Sequence, residues 1–224
     1  GVFHGNGHSI KGLRMNNTNN AGYKNAGLFC SLKDATVENL VIGSSCSFTG
    51  YSAGALSVSV DGSVTVAHTT NKAAVNGDWR VGGFIGFVQD LEQPTVISFE
   101  DCVNDGNVTG SKYSVGGFVG DIDKNTNMVM TISNSTNNGN VTGSDYYVGG
   151  FVGDFSSNTN MTMTISNSIN NGIVTGSYSV GGFVGHIYSS SQLNSITLSI
   201  ISSVNKDSVS ARKSMACGFV CVDP

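Results

Sequence analysis

The chain has 224 residues, of which 30 are glycine, 2 are proline and only 12% are charged, with a formal net charge of -4. It contains no basic cluster, which excludes a nucleic-acid backbone as the partner. No run approaches the roughly 18 apolar residues of a membrane span. No charged segment leads into an apolar one, so any export signal is expected upstream of Gly1.

In chain order, residues 1–80 read as irregular units, with loose copies of one motif at Gly27-Leu28-Phe29 and Gly54-Ala55-Leu56. Residues 81–185 are regular. Gly106-Asn107-Val108-Thr109-Gly110 and Val115-Gly116-Gly117-Phe118-Val119-Gly120 return at 139–143 and 148–153, and again at 172–176 and 180–185. The glycine before each Phe stands at 83, 117, 150 and 182, in steps of 34, 33 and 32. Residues 186–224 are degenerate and keep only Gly218-Phe219. Within one unit, 128–132, 140–142 and 147–152 predict three short strands, separated by Asn- and Gly-rich corners that tolerate positive φ. No 3.6-residue periodicity is sustained. A period near 33 with strong β-formers predicts an all-β fold, a right-handed parallel β-helix (β-solenoid). About seven coils of roughly 27–36 residues would form one domain over 1–224.

Like residues recur at like positions. Asn71, Asn104, Asn137, Asn170 and Asn205 are each followed four residues later by Val, at 75, 108, 141, 174 and 209. Stacked about 4.8 Å apart, these amides can bond from coil to coil as a structural ladder while the valines fill the core. Trp79, Tyr113, Tyr146 and Tyr178 each stand two residues before the Val that opens the third strand, and Tyr51 lies close to the same place. They predict an aromatic stripe, either a ring ladder that seals a corner or a contact surface for glycan or protein.

The remaining polar residues do not read as catalytic. Asp121 and Asp154 are equivalent, with Gln89 before them and His186 after. They are expected just past a strand end, splayed into solvent, with Arg14, Arg80 and Arg212 in distant coils. His4, His8, His68 and His186 read as isolated surface or turn residues, and no nucleophile elbow accompanies them. Gly116 to Asp121 occurs once per coil, so a nine-residue calcium repeat is excluded on period. The absence of Gly-Lys-Ser/Thr excludes a phosphate loop.

The five cysteines, Cys30, Cys46, Cys102, Cys217 and Cys221, cannot all pair internally. Cys102 aligns with Ser135 and Ser168, and Cys30 and Cys221 align with Gly120 and Gly153, which predicts buried free thiols. A straight strand would hold Cys217 and Cys221 too far apart for a disulfide. No ligand spacing suggests zinc, so neither a metal nor a cofactor is expected. Asn16, Asn107, Asn134, Asn140 and Asn160 each begin an N-x-[ST] sequon, a weak sign of secretion in so Asn-rich a chain.

The stretches 104–120, 137–153 and 170–185, with the opening Phe3-His4-Gly5-Asn6-Gly7-His8-Ser9-Ile10-Lys11-Gly12-Leu13, resemble the GLUG-motif repeat proteins, a family of β-helical surface and secreted proteins. Gly27-Leu28-Phe29 and Ala35-Thr36-Val37-Glu38-Asn39-Leu40 belong to the same resemblance. It covers nearly the whole chain, strongly over 81–185. It implies architecture and a surface or extracellular setting, and it carries over no catalytic residue. Cys30 and Cys221 depart from the family's glycine, and the 199–224 coil lacks Asn-Gly before Val209, as an irregular cap would.

These readings lead to a non-enzymatic extracellular or cell-surface module, structural or adhesive, expected to be either a fragment of a longer array or a subunit that stacks head to tail into filaments. Its expected partners are further copies of itself, glycans or a host surface. The alternative is a polysaccharide-binding or polysaccharide-degrading β-helix protein, whose mark would be a groove gathering carboxylates with Arg or Lys on neighbouring coils. An ice-binding face is disfavoured because Thr109, Thr142 and Thr175 supply one Thr per coil.

Overall fold

The computed structural model describes residues 1–17, 24–89, 91, 93–188 and 195–222. It is a right-handed parallel β-solenoid, built among the described residues from strands and turns, with four sheets running along its length. The first sheet stacks Val2–His4, Ala35–Glu38, Val64–Ala67, Thr95–Glu100, Met128–Ser133, Met161–Ser166 and Ile196–Ile201. Alternation along these strands sends Ile97, Phe99, Met130, Ile132, Met163 and Ile165 into the core. A residue at positive φ ends six of the seven strands: Asn39, His68, Asp101, Asn134, Asn167 and Ser202. Asn and Asp take this conformation more readily than most residues, which is why the corner is Asn-rich.

The second sheet consists of seven dipeptide strands, from Ser9–Ile10 to Val204–Asn205. It carries the asparagines. Asn71 Nδ2 donates to Asn104 Oδ1 (2.9 Å), and the relay continues from Asn104 to Asn137, Asn137 to Asn170 and Asn170 to Asn205, each at 2.8 Å. Each Nδ2 also donates to the carbonyl two residues on, as from Asn137 to Gly139. Asn71, Asn104, Asn137 and Asn170 are fully buried, and so are Val75, Val108, Val141 and Val174.

The third sheet, of eleven strands, and the fourth, of seven, meet at the repeated Gly-Gly-Phe corner. The expected third strand at 147–152 is two strands, Tyr147–Gly149 and Val152–Ser156, with Gly150 and Phe151 turning between them. The coil is therefore more finely divided than the three expected strands, with Thr136–Asn137 as a further short piece. The corner phenylalanines follow one another through the core, Phe84 tilted against Phe118 (5.0 Å, 42°), with Phe118 stacked on Phe151 (4.7 Å) and Phe151 on Phe183 (5.0 Å). Gly117 is required here because a Cβ would lie 2.1 Å from Gly150 O and 2.8 Å from the Asn137 amide. Asparagine ladder and double glycine are thus one packing unit.

The same corner corrects the cysteine assignment. Ala216–Cys217 and Val220–Val222 flank a turn at Gly218 and Phe219, so the chain doubles back and Cys217 and Cys221 form a disulfide across Cα atoms 5.5 Å apart. A straight strand was the wrong premise. Cys30, expected to be buried, is exposed. Cys46 and Cys102 are free and buried, and burial pushes the Cys102 thiol up to about 12.

Candidate functional site

Stacking turns unlike residues into neighbours. On the fourth sheet, register pairs Ser31 with Ser59, Ser59 with Phe87, Phe87 with Asp121, Asp121 with Asp154 and Asp154 with His186. Phe87, and not Gln89, is therefore the residue before Asp121, while Gln89 pairs with Asp123. Across the corner, the third sheet aligns Ser52, Arg80, Ser114, Tyr147 and Ser179. Residues from the two columns meet at this edge.

Here the structure overturns the solvent-exposed reading of the acids. Asp121 and Asp154 are each 2% exposed and His186 is 3% exposed. Both carboxylates sit within strands, Val119–Asp123 and Val152–Ser156, because the chain continues in register after the corner glycine. Arg80 is not distant either. Its Nε lies 2.8 Å from Asp121 Oδ2, although off the direction of a formal hydrogen bond, so the contact is ionic. The guanidinium also packs over the Phe87 ring at 5.0 Å. Ser114 Oγ donates to Asp121 Oδ1 (3.3 Å). Asp154 accepts from Ser156 Oγ at Oδ2 (2.8 Å) and pairs through Oδ1 with His186 Nδ1 (2.7 Å). Half-buried Arg80 and buried Asp121, Asp154 and His186, one from each of four successive coils, form a column of ionisable groups.

Burial, and then the neighbouring Asp154, raise the Asp121 carboxyl from 3.8 to about 7, with Arg80 opposing. Burial and Asp154 also hold the Tyr113 hydroxyl above its usual range. The Asp154 bond fixes the His186 ring by its Nδ1 edge. Tyr147 stacks on that ring at 3.9 Å and 7°. Over the Asp154–His186 pair opens a cleft of about 270 Å³ lined by Tyr113, Tyr147, Ser156, Ser157 and Tyr188. Among the described residues, no group of three or more His, Cys, Asp or Glu could hold a metal ion.

The aromatic stripe borders this cleft. Tyr51 stacks on Trp79 (6.0 Å, 10°) and Trp79 on Tyr113 (5.0 Å, 6°). Tyr113 tilts against Tyr146 (5.3 Å, 46°), Tyr146 stacks on Tyr178 (5.3 Å, 17°), and Lys213 Nζ caps Tyr178 at 5.0 Å. Most ring faces are thus used by neighbours. The stripe presents mainly ring edges and hydroxyls to the outside, and Tyr113 joins it to Tyr147 edge to face (5.5 Å, 81°).

The sequon asparagines Asn16, Asn107, Asn134, Asn140 and Asn160 are all exposed, and Thr18 of the first sequon lies outside the described residues. His4 pairs with Glu38 and His68 with Asp101, both at the surface. A second asparagine ladder, Asn125 to Asn158 (3.2 Å), has no counterpart in the sequence reading. Among the described residues it spans two coils, so repetition does not announce it.

No family model and no curated protein matches the chain, so the GLUG resemblance rests on the motif alone. The fold is similar to that of a crystal structure from Bacteroides ovatus described as a putative immunoglobulin A1 protease, with a TM-score of 0.69 and 17% identity over 99% of this chain and 68% of that one. At that identity the likeness is one of fold.

Proposed function

We propose that the chain is an extracellular or cell-surface β-solenoid that serves as a structural and adhesive module of the GLUG-motif kind. The observation that carries this reading is the set of longitudinal ladders of amides, phenylalanines and outer aromatics. Together they make a stiff rod with a neutral polar surface. Head-to-tail association of copies belongs to the same reading. Val2, Phe3, Ile201, Val204, Phe219 and Val222 are exposed apolar residues, which contact with a further coil would cover. Binding of the protein to immobilised glycans or host cells tests adhesion. Analytical ultracentrifugation tests stacking, and a strictly monomeric species at high concentration removes the filament.

A second reading is favoured by one observation. Asp121, Asp154 and Arg80 gather on neighbouring coils beside a cleft, the feature named above for a polysaccharide-binding or polysaccharide-degrading protein. Neighbouring carboxylates, one of them (Asp121) holding its proton above the usual carboxylate range, are equipment of the kind glycoside hydrolysis uses. Glycan turnover that Asp121→Asn abolishes would replace the non-enzymatic reading. The name of the Bacteroides ovatus chain adds a peptidase assay to the same screen.

A further inference from the structure

The cleft beside the aromatic stripe has a chemistry of its own. Its floor is the Asp154–His186 pair, and its rim carries two serines and three tyrosines. Three exclusions narrow its ligand. An anion is disfavoured because two carboxylates lie at or under the floor, opposed by one permanent cation, Arg80. A cation is disfavoured because all four carboxylate oxygens already have partners. Asp121 faces Ser114 and Arg80, and Asp154 faces Ser156 and His186. A purely apolar group would leave the hydroxyls of Ser157, Tyr113 and Tyr188 without matching polarity. What remains is a ligand with apolar C–H faces and a rim of hydroxyls that both donate and accept.

We propose that this cleft, with Tyr113, Tyr147 and Tyr188 as walls and Ser156 and Ser157 as hydroxyl partners, is a binding site for one neutral sugar ring of a glycan. Its volume of about 270 Å³ falls just below the roughly 300–1,000 Å³ of sites for drug-sized ligands, which suits a single ring. Tyr188, 46% exposed, offers ring area to a partner, and its ring lies nearly parallel to His186 at 6.3 Å and 11°. Asp154 acts here as a positioning residue that fixes His186. The remaining rings of the outer stripe, engaged with one another, serve as the wall that leads to the cleft. The proposal rests on the adhesive reading and assigns it a place.

The test is an array of immobilised neutral glycans with polygalacturonate and chitosan as acidic and basic controls, followed by calorimetry on the best soluble oligosaccharide. Wild type is expected to bind a neutral glycan and neither control. Tyr188→Ala should weaken that binding about tenfold, the contribution of one aromatic contact of roughly 1.4 kcal/mol. Tyr188→Phe, which keeps the ring, should retain most of the affinity. Ile173→Ala, at an exposed residue outside both the cleft and the stripe, should leave affinity unchanged, Trp79→Ala should weaken binding less than Tyr188→Ala does, and thermal melting confirms that each variant is folded. Loss of neutral-glycan binding in Trp79→Ala but not in Tyr188→Ala overturns the cleft and leaves the adhesive reading standing on the stripe. Binding to polygalacturonate or chitosan alone overturns the neutral-sugar assignment while adhesion stands. Binding to no glycan overturns the cleft. If host cells are not bound either, the adhesive reading fails with it.

Discussion

Asp121 is a buried acid that a solenoid builds by stacking it on a second acid, and that has consequences for stability. Between pH 3.8 and about 7 the folded chain keeps a proton on Asp121 that the unfolded chain has released. The folded state binds more protons in this window, so this group's contribution to stability is greatest at the acid end and declines as pH rises through about 7. Melting temperature measured from pH 8 down to pH 5 should therefore rise through this group's contribution. Asp121→Asn, uncharged at every pH, should flatten that slope; a slope unchanged in the variant would place the titration elsewhere. The column was hard to read from sequence because most of its residues are unlike: Ser59, Phe87, the two acids Asp121 and Asp154, and His186 share a position, and only the acids share a chemistry. The asparagine ladder was readable because one residue type recurs. Asn137→Ala should cost about 3 kcal/mol or more, since it leaves one of the two Asn104 Nδ2 protons without its acceptor and Asn170 Oδ1 and Gly139 O without the Asn137 donor, all in the interior. Chemical denaturation checks this; a loss below about 1 kcal/mol would mean that water or a neighbour replaces the amide.

At the scale of the element, the Gly-Gly-Phe corner decides both what the sequence disclosed and what it concealed. Its recurrence gave the period and hence the solenoid. Reading it as one straight strand, however, hid the fourth sheet, put Asp121 and Asp154 outside the fold and kept Cys217 away from Cys221. A run of β-formers with two glycines inside is equally compatible with a strand and with a sharp corner. What distinguishes them here is the occupied space behind the second glycine, and that depends on residues 33 positions away. The corner supplies its own control. A Cβ at Gly150 would lie 2.1 Å from Gly182 O and 2.8 Å from the Asn170 side chain, whereas at Gly218, the same position in the last coil, it meets nothing within 4 Å. Gly150→Ala should destabilise severely, by more than about 3 kcal/mol, because backbone must move. Gly218→Ala should remain within about 0.5 kcal/mol of the parent. Equal effects at the two positions would show that the double glycine acts through conformational freedom and not through stacking.

The whole molecule is close to one-dimensional: each coil touches only the coils above and below it, and stability is a sum of coil and interface terms. Opening should therefore begin at an end coil. The last coil is the more weakly held of the regular region's neighbours. Ile201, Val204 and Phe219 there are 53%, 46% and 45% exposed, whereas Phe118, Phe151 and Phe183 in the preceding coils are fully buried. The Cys217–Cys221 disulfide ties the two arms of the corner in that coil, around Phe219, which stacks on Phe183 at 5.4 Å and 6°. It closes only a short loop, so its effect on the unfolded chain is small, and its effect is expected to be local: holding the corner shut against fraying. Hydrogen exchange followed by mass spectrometry, with and without reductant, resolves this. Reduction should speed exchange in Val209–Ala211, Ala216–Cys217 and Val220–Val222 while Val108–Gly110 and Val141–Gly143 keep their protection. Faster exchange spreading evenly to the central coils would show that the solenoid opens as a single cooperative unit, and would contradict nearest-neighbour stability for this chain.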